Sequence, residues 1–196
     1  MDLEARIHEQ FGEHGTALLA SSLALAVPIA RAAEWMVEAL SDDRKIIACA
    51  NAPADAECER FVSALLGRFE RERLALAAIS LSARRPPPGV NAGSDMLPHF
   101  ARQIEGIARP GDVLVALSAS GNCQNVVDAV IAAHERDMRV VAITGQSGGA
   151  LAAELFDSDV HLAIPAERLI VVQAIERVVF NCLCDAMDWN FLGDEA

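Results

Sequence analysis

The chain has 196 residues, 53% hydrophobic and 22% charged, enough apolar material for a sizeable core and too much for a disordered segment. Its formal charge is −12, from 16 Lys+Arg against 28 Asp+Glu, so it lacks the basic footprint that holds nucleic-acid backbones or anionic membrane surfaces. Neither direct DNA binding nor membrane association is expected on that ground.

The five cysteines fit no zinc or disulfide spacing, and Cys182 and Cys184, two apart on a helix, point in different directions. Reduced, mostly buried thiols of a cytoplasmic protein are therefore expected. His8, His14, His99, His134 and His161 are scattered without metal spacing. The first ten residues carry acids and no apolar run, unlike a signal peptide.

In chain order, Ile7, Phe11, Leu18 and Leu19 mark the apolar face of a first helix. Pro28 suits the opening turn of a second, through Trp35, Met36 and Val37 to Leu40. The uncharged stretch 16–30 is shorter than a membrane span and holds Ser21, Ser22 and Pro28, so the pair reads as buried. A turn at 41–44 leads to a strand at 45–50, a helix at 55–73 and a strand at 77–81. Glu70-Arg71-Glu72-Arg73, at that helix's end, reads as a solvated charged face. Residues 82–93 include three consecutive prolines and are irregular or polyproline-like, and the Arg84-Arg85 doublet before them implies no nucleic acid. A helix at 96–108 follows, then a strand at 112–117, a helix at 122–135 and a strand at 139–144. A short helix at 149–155, a strand at 160–164 and a long helix at 169–189 complete the chain.

Continuously apolar strands alternating with helices predict a doubly wound α/β fold of five parallel strands with right-handed crossovers. One domain over 1–196 is expected, with 1–40 as an N-terminal helical pair and 41–196 as the α/β core and C-terminal helix. Ligands of such folds sit beyond the carboxyl ends of the strands, so the loops after Ala50, Leu81, Leu117 and Thr144 are the candidate sites. The most informative is Leu117-Ser118-Ala119-Ser120-Gly121-Asn122, which follows a strand directly and opens a helix. Small hydroxyl residues and a glycine there let backbone N–H groups and hydroxyls surround a phosphate. The loop has neither the lysine of a P-loop nor the glycine spacing of a dinucleotide site. Ordinary helix capping by Ser120 or Asn122 remains the alternative.

The stretch VLVALSASGNCQNVVDAVIAAHERDMRVVAITGQSGGALA resembles the phosphosugar loop and following βαβ unit of the sugar isomerase (SIS) domain family. Within that family the chain is similar to phosphoheptose isomerases. Through GRFERERLALAAISL (67–81) and NCLCDAMD (181–188) it is more closely similar to the DiaA branch, whose members associate with the bacterial replication initiator DnaA. The resemblance covers nearly the whole chain apart from 82–95. It implies a flavodoxin-like three-layer α/β/α SIS domain, with extra N-terminal helices and a long C-terminal helix, assembled as a homotetramer. In that assembly the terminal helices pack between subunits, which agrees with the unusually apolar run 18–29.

Phosphoheptose isomerase takes a proton alpha to a carbonyl of a ketose phosphate and protonates oxygen. By the resemblance its GNGGS motif falls on the stretch Ala50-Asn51-Ala52-Pro53-Ala54, where only Asn51 is kept and Pro53 lacks a backbone donor. The family histidine falls on Arg60 and the catalytic glutamate on Ala64. The glutamine and histidine that complete the acid/base and zinc set fall on Gln173 and Asn181. Alanine is no base, and an amide is a poor proton carrier and a weak lone zinc ligand. These replacements imply no catalytic residue, no cofactor and no metal. In the phosphate loop STSGNS has become Ser118-Ala119-Ser120-Gly121-Asn122-Cys123, and Arg68 matches an arginine that reaches the sugar phosphate. A weak phosphosugar site of Asn51, Arg68, Ser118, Ser120, Gly121, Asn122 and Gln173 is expected.

At the end of the last helix stand Trp189, Phe191 and Leu192. By the resemblance, Phe191-Leu192 falls in reversed order on an apolar pair with which the DiaA branch contacts the initiator, although packing within a tetramer is the other reading. The function expected is a non-catalytic scaffold of the DiaA type that holds several DnaA molecules and promotes their assembly at the origin. The alternative is a phosphoheptose isomerase acting on sedoheptulose 7-phosphate for lipopolysaccharide heptose, or a phosphosugar-sensing regulator. In the isomerase case Glu57, Glu59 and Glu176 are the replacement acids near the lost positions.

Overall fold

Five apolar runs pair as one parallel sheet in the order β2-β1-β3-β4-β5, in a computed structural model that describes residues 2–81 and 100–193. The strands are β1 (Ile46–Ala50), β2 (Ala78–Ser80), β3 (Val113–Ser118), β4 (Arg139–Gly145) and β5 (Val160–Ile164). Successive strand residues point to opposite faces, and here both faces are covered. Ile46, Ala48, Val113, Val115, Leu117, Val141 and Ile143 enter one core with α1 (Leu3–Ser41), α2 (Asp55–Leu66) and α6 (Leu169–Leu192). Ile47, Cys49, Leu114, Ala116, Val140 and Ala142 enter the other with α3 (Phe100–Ile107), α4 (Gln124–His134) and α5 (Gly149–Ala153). This is the three-layer α/β/α arrangement expected from the alternation of strands and helices. At the amino edge of the sheet the buried carboxylate of Asp112 accepts from Lys45 N at 3.0 Å, Lys45 Nζ at 2.5 Å and Arg109 N at 2.7 Å, tying β1 to β3.

The expected pair of N-terminal helices is a single helix. α1 runs unbroken from Leu3 to Ser41 with Pro28 inside it. Proline deprives the Ala24 carbonyl of its donor and crowds the preceding turn. The helix continues because its two halves share one buried stripe, with Ala17, Ser21 and Leu25 before the proline and Ala32, Ala33 and Met36 after it. That stripe packs on α6 and β5, and tertiary burial outweighs one missing hydrogen bond. By length and composition α1 is also long and apolar enough to cross a membrane.

α2 stops at Leu66, several residues before the expected end, with Gly67 at its C-cap. The chain then turns back along the helix, and Arg73, expected on a solvated face, is buried. Its Nε donates to Asp188 Oδ1 at 2.6 Å, and both side chains are 3% exposed. Its other nitrogens donate to the carbonyls of Ala64 and Leu65, each at 2.8 Å, and of Leu74 at 3.1 Å. Carbonyls of a last helical turn have no intrahelical partner, so Arg73 caps α2 from outside while its charge meets the negative end of the helix dipole. The proline-rich segment 82–93, Arg84-Arg85, His99, the first residues of the helix expected from 96, and residues 194–196 lie outside the described residues.

Arg73→Ala leaves Asp188 as an unpaired buried carboxylate and strips the cap from α2. Breaking a buried pair from one side costs about 3–5 kcal/mol. Urea denaturation at pH 7 should therefore show a large fall in midpoint, and a wild-type midpoint would show that the pair contributes nothing.

Candidate functional site

The strand order reverses between β1 and β3, and the crevice beyond their carboxyl ends is where folds of this kind bind ligands. Asn51, just after β1, and Asn125, in the first turn of α4, close across it. Asn51 Nδ2 donates to Asn125 Oδ1 at 2.9 Å, and Asn125 Nδ2 donates to Asn51 Oδ1 at 2.7 Å. The expected ligand-binding amide of Asn51 is thus engaged by a partner that sequence reasoning missed. The one available signal was a lone asparagine on a helix face otherwise occupied by Val126, Val127 and Val130.

β3 ends at Ser118, and the chain turns through 119–123 into α4. Gly121 has φ +68°, and a Cβ there would lie 2.0 Å from the carbonyl oxygen of Gly148. Only glycine lets the loop after β3 touch the loop after β4. Two further bonds join these loops, from Gly145 N to Ala119 O at 2.9 Å and from Leu151 N to Gly121 O at 2.8 Å. Asn122 Oδ1 accepts from Ala150 N at 3.0 Å, and Asn122 Nδ2 donates to Ser120 O at 3.0 Å. Ser120 Oγ accepts from Asn122 N at 3.2 Å. Asn122 therefore caps α5 across the loop contact, and Ser120 shapes the turn.

Neither residue caps α4, which was the ordinary alternative to phosphate binding. The N-cap of α4 is Cys123, with no side-chain cap bond. Val126 N and Val127 N donate to Cys123 O at 2.9 and 3.1 Å, and the N–H groups of Gln124 and Asn125 ahead of them have no acceptor among the described residues, so this end is available to an anion. Beside it, the buried Ser118 Oγ has no hydrogen-bond partner among the described residues. A buried hydroxyl left unpaired costs about 1–3 kcal/mol, which a ligand oxygen would recover.

A second group of polar side chains lies between α2 and α6. Glu57 accepts from Arg60 Nε at 3.0 Å and from Arg177 Nε at 3.1 Å, and it also accepts from Arg177 Nη2. Arg60 Nη1 donates to Asn181 Oδ1 at 3.1 Å, and Arg60 Nη2 to the Arg177 carbonyl at 3.5 Å. Hydrogen bonding from Arg177, then Arg60, holds the Glu57 carboxyl below its ordinary range against the opposing effect of burial. Glu176 is 0% exposed, and neither carboxylate oxygen has a partner among the described residues. Burial, and secondarily the charge of Glu57, pushes its pKa up to about 7. The adjacent Cys58 thiol is pushed well above its ordinary value, first by burial and then by Cys49 and Glu176. Gln173, at the start of α6, is half-buried, and its amide bonds to no described side chain.

The residues here do not fit the zinc ion that the family resemblance implies. A guanidinium stands at one expected ligand position and repels a cation, Ala64 offers no donor, and Gln173 and Asn181 offer only amides.

The structure does not bring Arg68 to the phosphate loop of its own chain. It follows α2, which starts at the carboxyl edge of the sheet and runs about 18 Å back towards the amino edge. There it pairs with Glu72, with its side chain 62% exposed. Trp189, Phe191 and Leu192 occupy the last turn of α6, far along that helix from Gln173. Trp189 and Phe191 are exposed and Leu192 is half-buried.

The SIS domain family matches residues 10–145. The phosphoheptose isomerase of Azoarcus sp. (strain BH72) is 42% identical over 196 residues, covering all of both chains. That of Dechloromonas aromatica (strain RCB) is 39% identical over 198 residues, again covering all of both. The structure of phosphoheptose isomerase GmhA from Neisseria gonorrhoeae superposes with a TM-score of 0.86 at 36% identity, over 95% of this chain and 99% of that one. A phosphoheptose isomerase from Francisella tularensis superposes at 0.85 and 30%, over 96% and 99%. These full-length likenesses carry the isomerase's name, which overturns the expectation of a DiaA-type scaffold gathering DnaA. Trp189, Phe191 and Leu192 are left without that partner. With the α/β/α layers, the loop after β3 and full-length relatives all in agreement, the chain belongs to the SIS domain family.

Proposed function

We propose that this chain is a phosphosugar isomerase of the aldose–ketose class, acting in the cytoplasm on sedoheptulose 7-phosphate or a similar ketose phosphate. The observation that carries the reading is the unpartnered Ser118 hydroxyl beside the uncapped N-terminus of α4, at the switch point of the sheet. A phosphate there accepts from the hydroxyl and from first-turn N–H groups, and the helix dipole favours its charge. The sugar extends towards the cleft between α2 and α6, where Gln173, Asn181 and Arg60 meet its hydroxyls. The relatives named for this reaction support the substrate class.

The reading includes one domain over 1–196 and a homotetramer. α1 leaves Leu19, Leu23 and Val27 at 70%, 88% and 80% exposure, next to an apolar groove that it forms with Ile175, Val179 and Ala186 of α6. Apolar surface on this scale is covered in solution by further copies of the chain. A second reading, a phosphosugar sensor without turnover, is favoured by the replacement of the family's acid and base with Arg60, Ala64 and Asn181. A turnover assay separates the two.

Incubation with sedoheptulose 7-phosphate should yield an aldose phosphate visible by NMR, whereas saturable binding without product would select the sensor. Ser118→Ala should weaken phosphosugar binding about tenfold in calorimetry, the worth of one hydrogen bond to a charged group. Gly121→Ala, which drives a Cβ to 2.0 Å from the Gly148 carbonyl oxygen, should separate the two loops and abolish binding. No heat with heptose, hexose or pentose phosphates at millimolar concentration would remove the site.

A further inference from the structure

Moving a carbonyl between neighbouring carbons requires a base whose proton affinity lies near neutrality and a donor to the oxygen that becomes anionic. Of the positions where the family resemblance places these groups, Ala64 has no polar side-chain atom, Asn181 is an amide and a poor proton carrier, and the Arg60 guanidinium offers donors only. Two other carboxyls stand between the same helices, Glu57, which Arg60 and Arg177 already hold, and Glu176. Glu176 is buried from solvent, and neither of its oxygens is bonded to a described residue. A carboxyl without a partner in such a place is costly, and a partner that arrives with a ligand accounts for it.

We propose that Glu176 is the proton carrier of the isomerisation, with the N–H groups of Arg60 and Gln173 holding the substrate oxygen. This rests on the isomerase reading above. In the step, the Glu176 carboxylate takes the proton from C1 of the ketose and becomes an acid. The C–H electron pair forms the C1–C2 double bond, and the C2 carbonyl oxygen becomes an enediolate facing the Arg60 guanidinium. The C1 hydroxyl proton passes to the C2 oxygen, the C1 oxygen forms the new carbonyl as the C1–C2 double bond breaks, and its electron pair takes the proton back from Glu176 at C2. Nothing is consumed, and the base is restored.

The surroundings suit this role. On α2, Glu57 and Cys58 face Glu176, and Cys49 of β1 and Asp55 act on Cys58 in turn. Glu57 is already matched by Arg60 and Arg177, and both thiols stay protonated because burial raises them. No cation pairs with Glu176 among the described residues, so nothing locks it as a carboxylate. The Glu57 pairs beside it are weakly held, since the Arg60 and Arg177 side chains are 36% and 61% exposed. An entering sugar phosphate competes for those guanidinium groups and opens Glu176 to the sugar.

Two pH dependences follow with opposite signs. The active form is the carboxylate, so kcat/KM, which reports the free protein, rises with pH through about 7. Folding favours the neutral form, so Glu176 contributes stability that is full below about pH 4.5 and is lost as pH rises through about 7.

Glu176→Gln, close to isosteric, should lower kcat at least about a hundredfold with KM within a few-fold, and should stop solvent deuterium entering the product. Its melting temperature should stay level from about pH 5 to 8, where that of the unmodified protein declines. Should this variant fail to fold, Glu176→Asp decides. A tenfold or greater loss of kcat with a native melt supports the assignment, and an unchanged kcat overturns it. An active unmodified protein with an equally active Glu176→Gln variant overturns the assignment alone. An unmodified protein that isomerises no ketose phosphate overturns the isomerase reading and this assignment with it.

Discussion

Burial of the parallel sheet on both faces governs where polar chemistry can occur in this molecule. Ile46 and Ile47, or Leu114 and Val115, enter different cores although they are neighbours, so β1 and β3 have no face left for water. Polar side chains are driven to the two edges, where strands end and helices begin. At the amino edge Asp112 closes the β1–β3 junction. At the carboxyl edge the strand ends meet the N-termini of α2 and α4; the first-turn N–H groups of α2 are taken up by Asn51, Ala54 and Asp55, and α4 opens on Cys123 with no side-chain cap bond.

That edge divides into two parts with different histories of substitution. The loop after β3 retains a glycine whose missing Cβ is required by the Gly148 carbonyl, a turn shaped by Ser120 and Asn122, and an uncapped helix beyond. This rests on backbone geometry and on the side chains of Ser120 and Asn122, so it does not need the two hydroxyls that the family pattern has and this loop lacks. The cleft between α2 and α6 depends on side chains alone, and there the electrostatics differ. A guanidinium stands where the family's histidine does, and it organises Glu57, Asn181 and the Arg177 carbonyl around a positive charge fixed in the chain. A fixed guanidinium in that place disfavours a metal cation.

Much of the fold was legible because period-two burial on both faces produces continuous apolar runs, and the five strands lie within a residue or two of those runs. Pro28 misled because a local breaker says nothing about the partner helix that makes continuation worthwhile. Arg73 misled because a charged run looks solvated until its chain is seen to fold back under α2 and meet Asp188, 115 residues later. The functional expectation failed for a related reason. It weighed the replaced acid/base positions singly, whereas full-length likeness to the isomerases weighs the whole chain.

The sequence by itself determined the doubly wound architecture, the family and the small-residue turn that joins β3 to α4, because hydrophobic period, strand-to-helix order and a glycine-containing turn are local properties. Only the tertiary structure decided which polar atoms are satisfied. Asn51 is closed by Asn125, Asn122 is spent on α5, Arg68 lies beyond the far end of α2, and Ser118 and Glu176 have no partner among the described residues. Hydrogen-bond satisfaction depends on atoms brought together from distant parts of the chain, and no local pattern encodes that meeting.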